Sequence, residues 1–189
     1  LFSRDLPAMV ASTEEGTPLF VLLGTPYKSK RTRDPKDPES EGLRRAQVER
    51  TAEIVLRYKK KYGDKVPILL AGDFNGEPNQ EKTFVSLKKF AKMSDALDQV
   101  KPPLLYEKRV THTYHPNTGP TEKRQIDAIF ILSLFASLIL GAWVYRYKDQ
   151  QGRELPLPDT FKQREKNPSD HYPVVALFDL KALLKLLGL

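Results

Sequence analysis

The stretch LLAGDFNGEPN, Leu69 to Asn79, decides how the chain is read. Val66 to Ala71 is a continuous apolar run between turn signals, the pattern of a strand buried on both faces. The strand delivers the chain into a glycine-bounded turn that displays Asp73 and Asn75. A spacing of two puts both side chains on one side of an extended backbone. There a carboxylate can take or position the proton of a water while the neighbouring carboxamide holds a phosphate oxygen. The plainer alternative is an Asx-turn, in which both side chains only satisfy loop backbone groups.

Two further polar clusters stand at the starts of apolar runs. In NPSDHYPV, Asn167 to Val174, Asp170 and His171 are adjacent and therefore point differently. Asp170 can face a divalent cation, while His171, held by another carboxylate, donates to a phosphate. Capping of the strand start by Asp170, with a half-exposed His171, is the alternative. In RQIDAIFI, Arg124 to Ile131, Asp127 is a lone acid opening an apolar strand, where an unpaired carboxylate is costly. His171 is its expected partner if the two strands pair, and Arg124 is the competing one. His112 and His115 in THTYHPN are three apart, a spacing that suits a metal on a helix better than on a strand, and they read as surface or substrate-groove residues.

The remaining sequence sets these clusters in one globular domain, residues 1–189, with 40% apolar and 29% charged residues. A net charge of +7 and a pI near 9.5 favour a polyanionic partner such as nucleic acid. Without cysteine there is no disulfide framework and no thiolate metal site. Leu1 to Pro7 lacks the pattern of a signal peptide, and the absence of an initiator Met points to a fragment or a processed form. Ala128 to Tyr145 holds no charged residue for 18 positions. Ser133, Ser137 and Gly141 interrupt it, and its halves are β-branched or aromatic, so it reads as two core strands around a short helical turn, with no integral membrane span.

Periodicity places a hairpin over Pro7–Ser12 and Pro18–Gly24, and a solvated loop over Lys28–Glu41. A helix follows from Gly42 to Gly63, with Gln47, Thr51, Ile54 and Val55 inward and Arg44 and Arg45 largely opposite. Asn79 is expected to cap a second helix with Phe84, Leu87 and Phe90 inward. Strands are expected over Thr111–Tyr114, Ile126–Leu132, Ala142–Tyr147 and Tyr172–Phe178, and a last helix over Lys181–Leu187. The sum is a mixed α/β layer protein of about seven strands and three helices.

GDFN after a buried strand, then IDAIF, then SDHYPV resembles, in content and order, the C-terminal part of the endonuclease/exonuclease/phosphatase superfamily, the deoxyribonuclease I-like fold. PYKSKR, Pro26 to Arg31, is similar to that family's HLKSKR segment. The resemblance covers nearly the whole chain. It implies a four-layer-type β-sandwich flanked by helices, magnesium or manganese as cofactor, and in-line hydrolysis of a phosphate ester. Carried over by position, Asp73 orients or deprotonates the attacking water and Asn75 contacts the phosphate. Asp127 holds His171, which stabilises developing charge, and Asp170 joins the metal site. Lys28, Ser29 and Arg31 are candidate substrate contacts, with Lys30 and Arg33 extending the basic loop along a nucleic-acid backbone.

Two departures bear on activity. Pro26 stands where the family has a histidine, and it has neither an ionisable group nor a backbone donor. The family's first half, with an Asn and a metal-binding Glu at successive strand ends, would precede Leu6, and Glu14 and Glu15 in a hairpin turn are poor substitutes. A sandwich without its opening strands exposes a face or edge, which predicts a complementing chain, a homodimer or a rearranged sheet. Two functions follow as expectations: a metal-dependent phosphoesterase or nuclease-like phosphodiesterase, or a catalytically inactive phosphate- or nucleic-acid-binding module or truncated, engineered form of that fold. Compartment is left open.

Overall fold

The computed structural model describes residues 6–30 and 34–189, so Arg31 and Arg33 lie outside the described residues. In chain order the elements are β1 (Ala8–Ser12), β2 (Pro18–Pro26), α1 (Glu41–Tyr62), β3 (Ile68–Asp73), α2 (Val85–Lys89), β4 (Met93–Asp95), α3 (Tyr106–Arg109), β5 (His112–Tyr114), β6 (Glu122–Arg124), β7 (Asp127–Leu132), β8 (Ile139–Val144), α4 (Phe161–Arg164), β9 (Val174–Phe178) and α5 (Leu180–Leu187). The main sheet has the order β1-β2-β3-β7-β4, with β5-β6 and β8-β9 as separate two-stranded pairs. The fold is a mixed α/β arrangement of sheets flanked by helices, and among the described residues the β8-β9 pair packs against the main sheet.

Register explains how the main sheet is buried on both faces. Leu69 faces Ile131, Ala71 faces Ile129 and Asp73 faces Asp127 across β3 and β7, while Leu70 faces Phe130 on the alternate face. The Leu70–Phe130 face packs with Val21 and Leu23 against Val48, Ala52 and Val55 of α1. Ile129, on the other face, meets Ala142, Val144, Val174 and Ala176 of the β8-β9 pair.

The charge-free run Ala128–Tyr145 folds as β7, a 3₁₀ turn over Ser133–Leu138, and β8. No helix among the described residues is long and apolar enough to cross a membrane. β4 and β6 are each three residues long, too short to show apolar alternation, which is why periodicity passes over them.

Three expectations need correction. Arg44 is 1% exposed rather than outward, because its guanidinium donates to the Lys28 and Glu39 carbonyls of the adjoining loop. Asn79 caps no helix: it donates to Asp95 Oδ2 at 2.8 Å and accepts from Lys88 Nζ at 2.7 Å. Phe90 lies exposed beyond α2, whose five residues are too few to carry one apolar face from Phe84 to Ala91.

Candidate functional site

The clusters read from the sequence converge at one end of the main sheet. Pro26 is opposite Asp73 in the parallel β2-β3 register, and Asp73 is opposite Asp127 in the antiparallel β3-β7 register. The three residues therefore form one lateral row on the face that looks toward β8-β9. Gly72 allows this close approach: its φ is +146°, and a Cβ there would lie 2.2 Å from the Thr25 carbonyl oxygen.

After β3 the chain turns sharply, with Asn75 in the left-handed region at φ 50°. The Asx-turn is formed, with Asn75 N–H donating to Asp73 Oδ1 at 2.7 Å. The Asn75 carboxamide donates to Asp73 Oδ2 at 2.8 Å and to the Tyr27 carbonyl at 2.9 Å. Both amide hydrogens thus face inward, holding the catalytic candidate Asp73 and tying β3 to the PYKSKR segment. Burial pushes the Asp73 carboxyl above the usual carboxylate range, and the Asp127 charge adds to this against the opposing Asn75 hydrogen bonds.

Across the row, His171 Nδ1 lies 2.9 Å from Asp127 Oδ2. The expected pair is present, but not by strand pairing. β9 is laddered to β8, and β7 lies between β3 and β4, so the contact crosses between layers. Arg124 does not compete for Asp127, since its guanidinium binds Glu122 at 2.7 Å. The Asp127 hydrogen bond, outweighing burial, raises the His171 pKa above 6.5. Asp127, Ser169 and His171 line a cleft of about 340 Å³ with Ala71, Gly72 and Tyr147.

Thr111 carries no motif, and only its position reveals its role. Fully buried, its hydroxyl accepts from the backbone N–H groups of Ile126 and Asp127, both at 2.9 Å. Its carbonyl accepts from Tyr172 N–H at 2.7 Å. One threonine thus fixes the start of β7 against the Asp-His segment.

The residue most underestimated by spacing along the chain is His112. An antiparallel bridge sets it opposite His171, with ring centroids 4.7 Å apart. His112 Nε2 is 3.7 Å from Asp170 Oδ2, while Arg164 stands 3.3 Å from Asp170 Oδ1. Burial first, and the neighbouring His171 second, lower the His112 pKa below 6.5. For Asp170, burial is outweighed by its own backbone N–H, Arg164 and the two imidazoles, so its carboxyl stays below the usual value. His115 is not part of this group; its Nδ1 lies 2.8 Å from Thr121 Oγ1.

Among the described residues, His112, Asp170 and His171 form a group that can hold a divalent cation. The donor set is two imidazoles and one carboxylate. It suits a mixed nitrogen and oxygen coordination better than the near-octahedral, oxygen-only shell magnesium prefers.

The basic loop is partly neutralised. Lys30 Nζ binds Glu81 at 3.0 Å, and Glu81 also lies 3.7 Å from Arg44. The Lys28 backbone N–H donates to Gln47 Oε1 at 2.8 Å, which ties the segment holding Lys28 and Ser29 to α1.

No family model matches the chain, and no curated protein matches it by sequence. Solved structures do. The human Nocturnin catalytic domain with bound sulfate anion matches at a TM-score of 0.53 and 20% identity over 91% of this chain and 52% of that one. TDP2 of D. rerio complexed with single strand DNA product matches at 0.55 and 16% identity, over 91% and 61%. An endonuclease/exonuclease/phosphatase family protein from Bacteroides thetaiotaomicron matches at 0.52 and 20% identity, over 89% and 52%. The chain has the endonuclease/exonuclease/phosphatase, deoxyribonuclease I-like fold, and it spans 52 to 61% of the length of these structures.

Proposed function

We propose that this chain carries part of a phosphoester-hydrolysing site, and that its substrate is a phosphate ester or nucleic acid. The observation that carries the reading is the Asp127–His171 pair at 2.9 Å, standing beside Asp73 at the end of one sheet face. In the proposed reaction a water oxygen attacks phosphorus and Asp73 takes the water's proton. The ester P–O bond breaks in line, and the leaving oxygen takes up a proton from solvent. His171, oriented by Asp127, which favours its protonated form, donates from Nε2 to the phosphoryl oxygen on which charge develops. Asn75 holds Asp73 in place, and a phosphate contact by its amide competes with the two bonds it already donates. Lys28 and Ser29, and Arg31 outside the described residues, are proposed to steer the substrate backbone.

A divalent cation at Asp170, which the resemblance makes magnesium or manganese and which the two neighbouring imidazoles fit less well than a nitrogen- and oxygen-binding ion, would supply charge neutralisation at the phosphate. The solved neighbours support a polyanionic substrate, since the D. rerio TDP2 structure holds a single strand DNA product.

A second reading is favoured by one observation. Pro26 occupies the row beside Asp73 with no group able to donate or accept there except its carbonyl. On that reading the site binds phosphate without hydrolysing it. The absence of the family's opening strands is the ground for proposing a complementing segment, a second copy or a rearranged sheet, and the outer face of β8-β9, where Trp143 and Leu177 stand 41% and 51% exposed, is the candidate surface. Metal-dependent hydrolysis of plasmid DNA and of bis-p-nitrophenyl phosphate, lost in Asp73→Ala and His171→Ala, separates the two functions.

A further inference from the structure

We propose that His112, Asp170 and His171 form a centre for a divalent transition cation of the zinc class, not an oxygen-only magnesium site. The inference rests on the reading above only in setting the cation beside the phosphate, and its binding is measurable whether or not the chain turns over.

One ligand atom from each of the three residues lies within 4.8 Å of the other two, with His112 Nε2 and Asp170 Oδ2 3.7 Å apart. Metal–ligand bonds of about 2.0–2.2 Å set the donors of a tetrahedral ion roughly 3.3–3.6 Å apart. Within this backbone register, rotation of the side chains would close the remaining gap. The antiparallel bridge of His112 with His171 puts both imidazoles on one face. Flanking bonds from Thr113 N–H to the Asp170 carbonyl and from Tyr172 N–H to the Thr111 carbonyl lock it.

The surrounding groups orient the ligands as metal sites require. Asp127 engages His171 Nδ1, which leaves Nε2 as the ligand in a carboxylate–histidine–metal arrangement. Arg164 faces Asp170 Oδ1 and leaves Oδ2 toward His112. Two nitrogens and one oxygen make the three-ligand set of an open zinc-type site, with a fourth position left for water or a phosphate oxygen. With the cation bound, His171 Nε2 would be a ligand and the cation would take over the stabilising role that the Nε2–H has in the proposed reaction, so loss of His171 removes either one.

The test is titration of the full, chelator-stripped chain with Co²⁺, followed by its visible absorption, with Zn²⁺ and Mg²⁺ as competitors. His112→Gln and Asp170→Asn are compared with His115→Gln, and circular dichroism reports the fold of each. The expected result is stoichiometric Co²⁺ binding displaced by Zn²⁺ and not by an equal concentration of Mg²⁺. Affinity should fall in His112→Gln by at least the roughly 10- to 100-fold that even an outer-shell partner is worth, and stay unchanged in His115→Gln. Unchanged Co²⁺ affinity in folded His112→Gln, or displacement by equal Mg²⁺, overturns the proposal. Should His112→Gln fail to fold, Asp170→Asn decides by the same criterion. Binding as expected without any hydrolysis would count against the hydrolase reading and leave the metal centre standing.

Discussion

His171 Nδ1 lies 2.9 Å from Asp127 Oδ2 although their strands share no ladder. The pair therefore depends on the packing of two layers, and it should register in stability. Asp127 raises the His171 pKa above 6.5. A basic group with a raised folded pKa contributes stability that is fully present below the unfolded value and lost as pH rises through the folded one. In chelator, the thermal midpoint of the wild type should exceed that of Asp127→Asn most near pH ~5–6 and progressively less toward pH ~8. A gap independent of pH would show that His171 is not charged by this contact.

Gly72→Ala should destabilise the chain more than an ordinary core change. The added Cβ would meet the Thr25 carbonyl oxygen at 2.2 Å, in a backbone conformation of φ +146° that side chains rarely adopt. The expected loss exceeds about 1–3 kcal/mol in urea unfolding, the typical cost of such backbone strain alone. A near-neutral result would mean that β2 and β3 are not held at this spacing.

Thr111→Val keeps shape but removes the acceptor for two backbone N–H groups, those of Ile126 and Asp127. Each buried donor left unsatisfied costs about 1–3 kcal/mol. Loss of stability of about 2–6 kcal/mol for the two donors, with weaker Asp127–His171 coupling in the pH series above, is the expected outcome.

Pro26→His should raise phosphodiester turnover, because it returns an ionisable side chain to the row formed with Asp73 and Asp127. Removal or gain of one such group is worth about 10²–10⁴-fold in rate. The kcat and KM of the variant, measured with unchanged circular dichroism, decide whether this row contacts the substrate.

Much of this architecture is legible in the sequence because its strands are apolar and of ordinary length. Ile68–Asp73 and Asp127–Leu132 carry both the core and the site, so reading the run AIFIL also locates Asp127. Arg44 is illegible for a different reason: on the periodicity of α1 it is a surface arginine, and it is the carbonyls of the adjoining loop, with Glu81 beside them, that hold it inside. His112 was hidden because spacing along the chain describes helices well, whereas its partners come from strands brought alongside. Thr111 shows the same limit, since its importance lies in two N–H groups 15 and 16 residues away.

The most direct test is hydrolysis of plasmid DNA and bis-p-nitrophenyl phosphate by this chain with Mg²⁺, Mn²⁺ and Zn²⁺ in turn, beside Asp73→Ala and His171→Ala. The account predicts turnover that requires a divalent cation and falls by at least about 10²-fold in each variant. Turnover equal in the wild type and both variants, or none under any cation, would contradict a working phosphoesterase site at the end of this sheet.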